Sequence, residues 1–207
     1  MFCALSAVDI ALWDLKGKIT GLPLFRMFGG NERRIPVYGS GGWTSYSDEE
    51  LVEEMKMIVN RGYRRVKVKV GYNGGVSPLR DVERVRKVRE ALGPEVGIMV
   101  PLATGEHEYT KFGARDLVMN NAADIVQLDG TRAGGFTEML KIAAITQAWN
   151  LRFAPHAMEN IHIHLVSAYP NALFLERLLL FQDITRNVYI DAPVPENCYM
   201  TIPEMPG

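Results

Sequence analysis

Four ionisable side chains stand at the ends of short apolar runs, and their types suit acid–base chemistry. Glu106 ends the run 102–106, Asp129 follows the run 125–128, His156 ends the run 151–156 and Glu176 ends the run 172–176. They are 23, 27 and 20 residues apart, enough each time for one strand and a returning helix. One acid at a strand end is common. The recurrence predicts a parallel α/β barrel with its active site at the carboxyl ends of the strands.

Two lysines on one predicted strand are the second candidates for proton transfer. Lys67 and Lys69 alternate with valines in the run 65–71, so both lysines share one face of the strand. On an edge strand this face would simply be solvated. In a closed barrel it points inward, where two ammonium groups must meet anions. Burial and mutual repulsion then favour the neutral amine, which is the form that accepts a proton.

The elements that must position these side chains alternate along the chain. Apolar residues at helical spacing predict a packing helix over 4–18, and residues 35–39 read as a first strand. Ser47 with Glu50 three residues later is a capping box for a helix over 48–60. Further predicted elements are the strand 96–100 and the helices 78–92, 136–150 and 158–169, followed by an irregular Pro-rich segment from 178.

Composition limits the classes of partner. The chain has 207 residues, 47% of them hydrophobic and 23% charged, with a formal net charge of −1. No basic block predicts nucleic-acid binding, and no apolar run approaches the roughly 20 residues of a membrane helix. Only two cysteines, Cys3 and Cys198, and no signal-peptide pattern favour a reducing cytoplasm. We therefore expect a cytoplasmic protein whose partner is a small molecule. As a separate expectation, the protein assembles as a homo-oligomer.

The regular alternation fails at one place. The strand 96–100 runs directly into the strand 102–106, whereas parallel neighbours need a crossover of a dozen or more residues. A complete barrel usually takes about 250 residues, so the chain is also short for one. We interpret residues 1–34 as a junction helix and linker, and residues 35–207 as a barrel domain with a break or deletion at 100/101.

Several segments, in one order, resemble the enolase superfamily. They are VDIALWDLKGK with GLPLFRMFGG, then KVKVG, ATGEHEYTKFG, DIVQLDGTRAGG, APH and FLER. The resemblance is to the mandelate racemase/muconate lactonizing enzyme-like group, nearest to acid-sugar dehydratases. It implies a (β/α)8 TIM-type barrel and a metal-dependent lyase or isomerase that takes a proton from the carbon next to a carboxylate of a hydroxy acid or acid sugar.

The resemblance also implies roles for individual residues. Lys69 would be the base and Lys67 would lie nearer the substrate carboxylate. Asp129 would orient His156, which would act on the opposite face of the substrate as acid or base, and Glu176 would hydrogen-bond the substrate carboxylate. Glu106 would be a ligand of Mg²⁺, which stabilises the enediolate. His107 and Tyr109, in the loop after Glu106, are candidates for substrate contact, although surface polar residues would look the same.

The chain departs from the family pattern in two respects. The carboxylates that the family carries at the third and fourth strands have no counterpart here, so the predicted Mg²⁺ site is incomplete. We also expect the capping domain of the family to be missing from this sequence. Three hypotheses follow. The first is an acid-sugar lyase or isomerase, by dehydration, racemisation or epimerisation. The second is a catalytically inactive barrel remnant with a structural or binding role. The third, an unrelated α/β protein that binds phosphate, is disfavoured because no glycine-rich phosphate loop opens a helix.

Overall fold

The computed structural model describes residues 1–31, 34–100, 103–181, 187–189 and 191–207. Within these ranges strands and helices alternate along most of the chain. The strands are β1 (Arg34–Gly41), β2 (Arg65–Val68), β3 (Gly97–Met99), β4 (Ala103–Thr104), β5 (Ile125–Val126), β6 (Arg152–Phe153), β7 (Leu175–Leu178) and β8 (Tyr199–Thr201). The helices are α1 (Phe2–Thr20), α2 (Leu24–Met27), α3 (Asp48–Asn60), α4 (Pro78–Leu92), α5 (Thr110–Met119), α6 (Gly130–Ala133), α7 (Gly135–Ala148) and α8 (Glu159–Val166).

Strands β1 to β7 run parallel and curve into part of a barrel. One sheet has the order β3-β2-β1-β7 and a second has the order β4-β5-β6. A parallel bridge between Phe153 and Ala172 links the two sheets where β6 approaches the start of β7. Strand β8 pairs antiparallel with β1. The α/β barrel predicted from the sequence is confirmed, in an incomplete form.

The barrel is open between β3 and β4. These strands do not pair with each other in the described part of the chain. Only residues 100–102 separate Met99 from Ala103, far fewer than a parallel crossover needs. The predicted strand 102–106 is reduced to β4, and Leu102 lies outside the described residues. Glu106 therefore lies in a turn beyond β4, beside the open seam.

Several predicted boundaries were wrong for local reasons. Glu176 lies inside β7, opposite Tyr38 of β1, and not at a strand end. The residues after Asp129 form the short helix α6, which the sequence did not predict; the Asp129 side chain caps it by accepting a hydrogen bond from the Thr131 amide. The segment from 178, predicted to be irregular, contains β8. The capping box of Ser47 and Glu50 is confirmed at the start of α3.

The packing face predicted for α1 was also wrong. Its apolar members, among them Val8, Leu12 and Leu15, are exposed. The helix instead packs through its opposite face, where Ser6 Oγ accepts a hydrogen bond from the Gly134 amide at 2.9 Å. Trp13 Nε1 donates to Thr137 at 2.9 Å on the same side. Sequence periodicity identifies an apolar stripe but does not say which neighbour covers it.

The core consists of two hydrophobic clusters that hold the strand ends in place. One surrounds β1 and β2 and includes Val37, Leu51 and Val66. The other lies between β5, β6 and α7 and includes Val126 and Phe153, together with helix residues. Among the described residues, no helix combines the length and apolarity needed to cross a membrane.

Candidate active site

A cavity of about 370 Å³ lies at the carboxyl ends of β2, β4 and β5. Its lining includes Lys67, Lys69, Glu106, His107 and Gln127. The parallel direction of these strands brings their carboxyl ends to one rim, which is why residues distant in sequence meet there.

Lys67 and Glu176 form a buried ion pair next to this cavity. Lys67 Nζ lies 2.6 Å from Glu176 Oε1 and 3.2 Å from Gln127 Oε1. Burial alone would raise the pKa of Glu176, but the charge and hydrogen bond of Lys67 outweigh it, so the pKa lies below its usual range. The Ala157 amide also donates to Glu176 Oε2, at 3.2 Å. The carboxylate of Glu176 is therefore ionised and held by several donors.

Gln127 is a site residue that sequence reasoning missed. Its Nε2 donates to Glu176 Oε2 and to the Tyr38 hydroxyl, both at 3.1 Å. Burial, and then the charge of Glu176, raise the pKa of Tyr38 well above its usual value. A polar glutamine inside the apolar run 125–128 was the available signal. A polar side chain in a buried strand needs a partner, and here it links Lys67 to Glu176.

Lys69 has a different environment from Lys67. It is half-buried, and its Nζ lies 4.0 Å from the centroid of the Trp43 ring, a cation–π geometry. Trp43 belongs to the loop after β1, which is anchored by the fully buried Arg84 of α4. Arg84 Nη2 donates to the Trp43 carbonyl at 3.0 Å, and Nη1 donates to the Tyr46 carbonyl at 2.6 Å. The loop therefore places an aromatic face against the predicted base.

Asp129, His156 and Glu106 form a row across the rim. His156 Nδ1 lies 3.1 Å from Asp129 Oδ2, and its Nε2 lies 2.8 Å from Glu106 Oε2. Burial opposes ionisation of Asp129, but the hydrogen bond of His156, the nearby His162 ring and the hydrogen bonds of Thr131 outweigh it and lower the pKa of Asp129 to about 2. An ionised carboxylate only accepts hydrogen bonds, so the His156 proton lies on Nδ1. A second proton, on Nε2 or on Glu106, is needed for the other contact.

The two substrate-contact candidates lie in different places. His107 lines the cavity with its ring 79% exposed, and its Nε2 lies 3.3 Å from Glu106 Oε1. Tyr109 stacks on Phe2 of α1, with ring centroids 5.4 Å apart, and is not among the residues that line the cavity. The structure thus brings His107, but not Tyr109, to the predicted site.

The residues present do not fit a resident Mg²⁺ ion. Mg²⁺ requires near-octahedral oxygen coordination, in proteins usually with carboxylates. Glu106 is the carboxylate predicted for this role, and its two oxygens face the rings of His156 and His107. In the ranges the structure describes, no cluster of three or more His, Cys, Asp or Glu residues could hold a metal ion. Asp129 and Glu176 are occupied by His156 and Lys67.

The chain matches two models of protein families. Residues 50–101 and 97–207 match the model described as enolase C-terminal domain-like. Residues 1–29 match the model of the mandelate racemase / muconate lactonizing enzyme N-terminal domain. The first match consists of two segments that meet at 97–101, where β3 precedes the open seam.

Individual relatives agree with these matches. The arabinonate dehydratase of Saccharolobus solfataricus is 26% identical over 259 positions, which cover 98% of this chain and 68% of the relative. The L-talarate/galactarate dehydratase of Salmonella typhimurium is 29% identical over 221 positions, covering 84% of this chain and 55% of the relative. The crystal structure of L-talarate dehydratase from Polaromonas sp. JS666, complexed with Mg and L-glucarate, superposes on this chain with a TM-score of 0.87. The two are 27% identical, and the match covers 100% of this chain and 69% of the relative. The chain thus spans between 55% and 69% of the length of these relatives.

Proposed function

The chain belongs to the mandelate racemase/muconate lactonizing enzyme family of enolase-like proteins, as its motifs predicted, and from this we propose that its site acts on an acid sugar. The predicted enzyme class, a lyase or isomerase, is confirmed by relatives named as dehydratases. Magnesium, predicted as the cofactor of the family, is present in a solved relative together with L-glucarate. The proposed reaction is dehydration of a hydroxy acid or acid sugar at the carbon next to its carboxylate.

One observation carries the proposal. Lys67 of β2 and Lys69, the residue just after this strand, line the cavity together with Glu106. Glu106 in turn contacts His156, whose other ring nitrogen contacts Asp129, so an acid–base pair lies directly behind the cavity wall. A substrate carbon between the two groups would have a proton acceptor on one side and a proton donor on the other. This arrangement supports acid–base chemistry on two faces of a small molecule.

Each proposed step is assigned to residues of this chain. Neutral Lys69 takes the proton next to the carboxylate, and the electrons of the broken C–H bond move into the carboxylate group. Protonated His156 then gives its proton to the hydroxyl on the next carbon, which leaves as water while a carbon–carbon double bond forms. The resulting enol becomes a 2-keto acid by moving one proton from oxygen to carbon. Lys67, already ion-paired with Glu176, supplies positive charge beside the substrate carboxylate.

We also propose that a segment of about 50 residues is lacking between Val100 and Pro101, inside the barrel domain 35–207 that follows the junction 1–34. The alignment with the arabinonate dehydratase is 259 positions long and includes 98% of the 207 residues of this chain, or about 203. The remaining positions, about 56, are residues of the relative that have no aligned residue in this chain. The same calculation for the L-talarate/galactarate dehydratase gives about 47 residues of the relative without an aligned residue in this chain. A strand and its helices at this point would fill the open seam between β3 and β4 and supply further carboxylates.

A second candidate function is an inactive barrel with a structural or binding role. The observation that favours it is that Glu106 is engaged by His156 and His107, so the enediolate would form without a metal ion to stabilise it. Self-association and a cytoplasmic location remain predictions for either candidate.

The two candidates are separated by restoring the segment. The 207-residue chain and a chimera carrying the corresponding segment of the Polaromonas L-talarate dehydratase after Val100 are incubated with Mg²⁺ and a panel of acid sugars, and 2-keto acid formation is measured. We expect turnover by the chimera and its loss in the chimera with Lys69→Ala. A folded chimera that binds Mg²⁺ but converts none of the acids would overturn the dehydratase proposal. Turnover by the 207-residue chain itself would show that the lacking segment is not required for the reaction.

A further inference from the structure

His162 is a fully buried histidine that the proposed chemistry does not use. It lies on α8, and its two ring nitrogens contact the backbone of the two connections that follow β5 and β6, called loops below although Gly130 also begins α6. Its Nε2 also lies 3.9 Å from Asp129 Oδ1. The Gly130 amide donates to His162 Nε2 at 3.0 Å, and His162 Nδ1 lies 2.8 Å from the Ala157 carbonyl oxygen. Because Nε2 accepts, the ring proton must lie on Nδ1, which donates to Ala157. Both nitrogens of a neutral ring are thereby satisfied.

The two loops contacted by His162 are those that carry the proposed acid–base pair. Gly130 directly follows Asp129, and Ala157 directly follows His156. The His162 ring therefore connects the loop after β5 to the loop after β6 at the residues next to the pair. The Asp129–His156 contact itself, 3.1 Å between Oδ2 and Nδ1, spans the same two loops.

The backbone around both contacts is constrained. Ala157 and Met158 have φ values of 47° and 44°, in the left-handed region that residues other than glycine seldom adopt. Such a conformation persists only where surrounding contacts hold it, and the bond from His162 to the Ala157 carbonyl is one of them. On the other loop, a Cβ at Gly130 would lie 2.9 Å from His162 Nε2, so glycine permits the close approach of the ring.

We infer that His162 is a positioning residue, which fixes the distance and orientation of Asp129 and His156 by joining their loops through one neutral imidazole. The inference rests on the proposed function of that pair, but the geometry can be tested without turnover. Burial lowers the pKa of His162, which agrees with a ring that stays neutral and keeps one donor and one acceptor.

The chain offers a matched control in His164. It is also a buried histidine on α8, and burial lowers its pKa to about 4. Its Nδ1 has no hydrogen-bond partner within the described part of the chain, and it contacts neither the Gly130 amide nor the Ala157 carbonyl. Replacing His164 by phenylalanine therefore tests the effect of losing a buried imidazole from α8 without cutting the link between the loops.

The experiment is NMR of the ¹⁵N-histidine-labelled 207-residue chain at one fixed pH, observing the His156 Nδ1–H resonance and its exchange with water. We expect His162→Phe to accelerate this exchange about tenfold, the effect of losing roughly one hydrogen bond's worth of local stability. His162→Gln, which retains one donor and one acceptor, should restore slow exchange, and His164→Phe should leave the rate near that of the parent chain. Thermal melts of all three variants report on global folding.

Two outcomes would overturn the inference. One is an unchanged His156 resonance in folded His162→Phe, and the other is equal acceleration in His164→Phe, which would show a general effect of core damage. If His162→Phe does not fold, the smaller His162→Leu takes its place and is compared with His164→Leu: faster exchange in His162→Leu alone supports the inference, and equal exchange in the two variants overturns it. Failure of the dehydratase proposal would appear separately, as an inactive chimera in which the His156 resonance still depends on residue 162.

Discussion

Lys67 and Glu176, 109 residues apart in sequence, form an ion pair inside the barrel with Nζ 2.6 Å from Oε1. The pair joins β2 to β7, the two strands that flank β1, and Gln127 of the loop after β5 bonds to both partners. Two charges in an interior are stable only when each satisfies the other and their remaining hydrogen-bonding groups are paired. The contact therefore contributes to the free energy of unfolding as well as to the shape of the cavity rim.

Removing one member of this pair should be costly, because the other would remain buried and unpaired. We expect Lys67→Met to lower the free energy of unfolding by about 3 to 5 kcal/mol. The double variant Lys67→Met with Glu176→Gln should lose less than the sum of the two single variants, since it leaves no isolated charge. Urea unfolding of the four proteins measures this coupling. Additive losses would show that the two side chains do not interact in solution.

The stability of the chain should depend on Asp129 in acid. The folded-state pKa of Asp129, about 2, lies below its ordinary value of 3.8, so its contribution is present above about pH 4 and is lost as the pH falls towards 2. The shift corresponds to about 2 kcal/mol. The loss of stability between pH 5 and pH 2 should therefore be smaller in Asp129→Asn than in the parent chain. Asp116→Asn, whose side chain is 60% exposed, is the control and should follow the parent curve.

Mg²⁺ should not stabilise the 207-residue chain. A ligand that binds the folded state raises its melting temperature in proportion to the logarithm of ligand concentration over Kd. Since the described residues hold no cluster of metal-binding side chains, we expect millimolar Mg²⁺ to leave the melting temperature and the calorimetric baseline unchanged. The chimera with the restored segment should show a rise. A rise in the 207-residue chain that disappears in Glu106→Gln would contradict this expectation.

Arg84 should control the loop that places Trp43 over Lys69. Its guanidinium is buried and bonds two carbonyl oxygens of that loop, so Arg84→Met leaves both acceptors without their donors. We expect a loss of about 2 to 4 kcal/mol in the free energy of unfolding. The exposed Arg86 on the same helix supplies the control, and Arg86→Met should stay within about 0.5 kcal/mol of the parent. Equal losses in both variants would show that the loop anchor has no special role.

Local physics in the sequence determined much of the architecture. The helix α3 was predicted over the residues that form it, because Ser47 and Glu50 satisfy its first amides within one turn. The order of the motifs also indicated the family, and the short interval before residue 102 indicated that the strand 96–100 lacks a crossover. Each of these predictions depends on residues close together in the chain.

Tertiary structure alone decided which residues meet. Nothing near Lys67 in the sequence indicates that Glu176 is its partner, or that Gln127 lies between them, because these contacts depend on how the strands close around the barrel. The same holds for α1, whose apolar stripe is exposed while Ser6 and Trp13 face α6 and α7. Sequence periodicity gives the direction of a side chain relative to its own element, whereas its partner is set by the packing of elements distant in the chain.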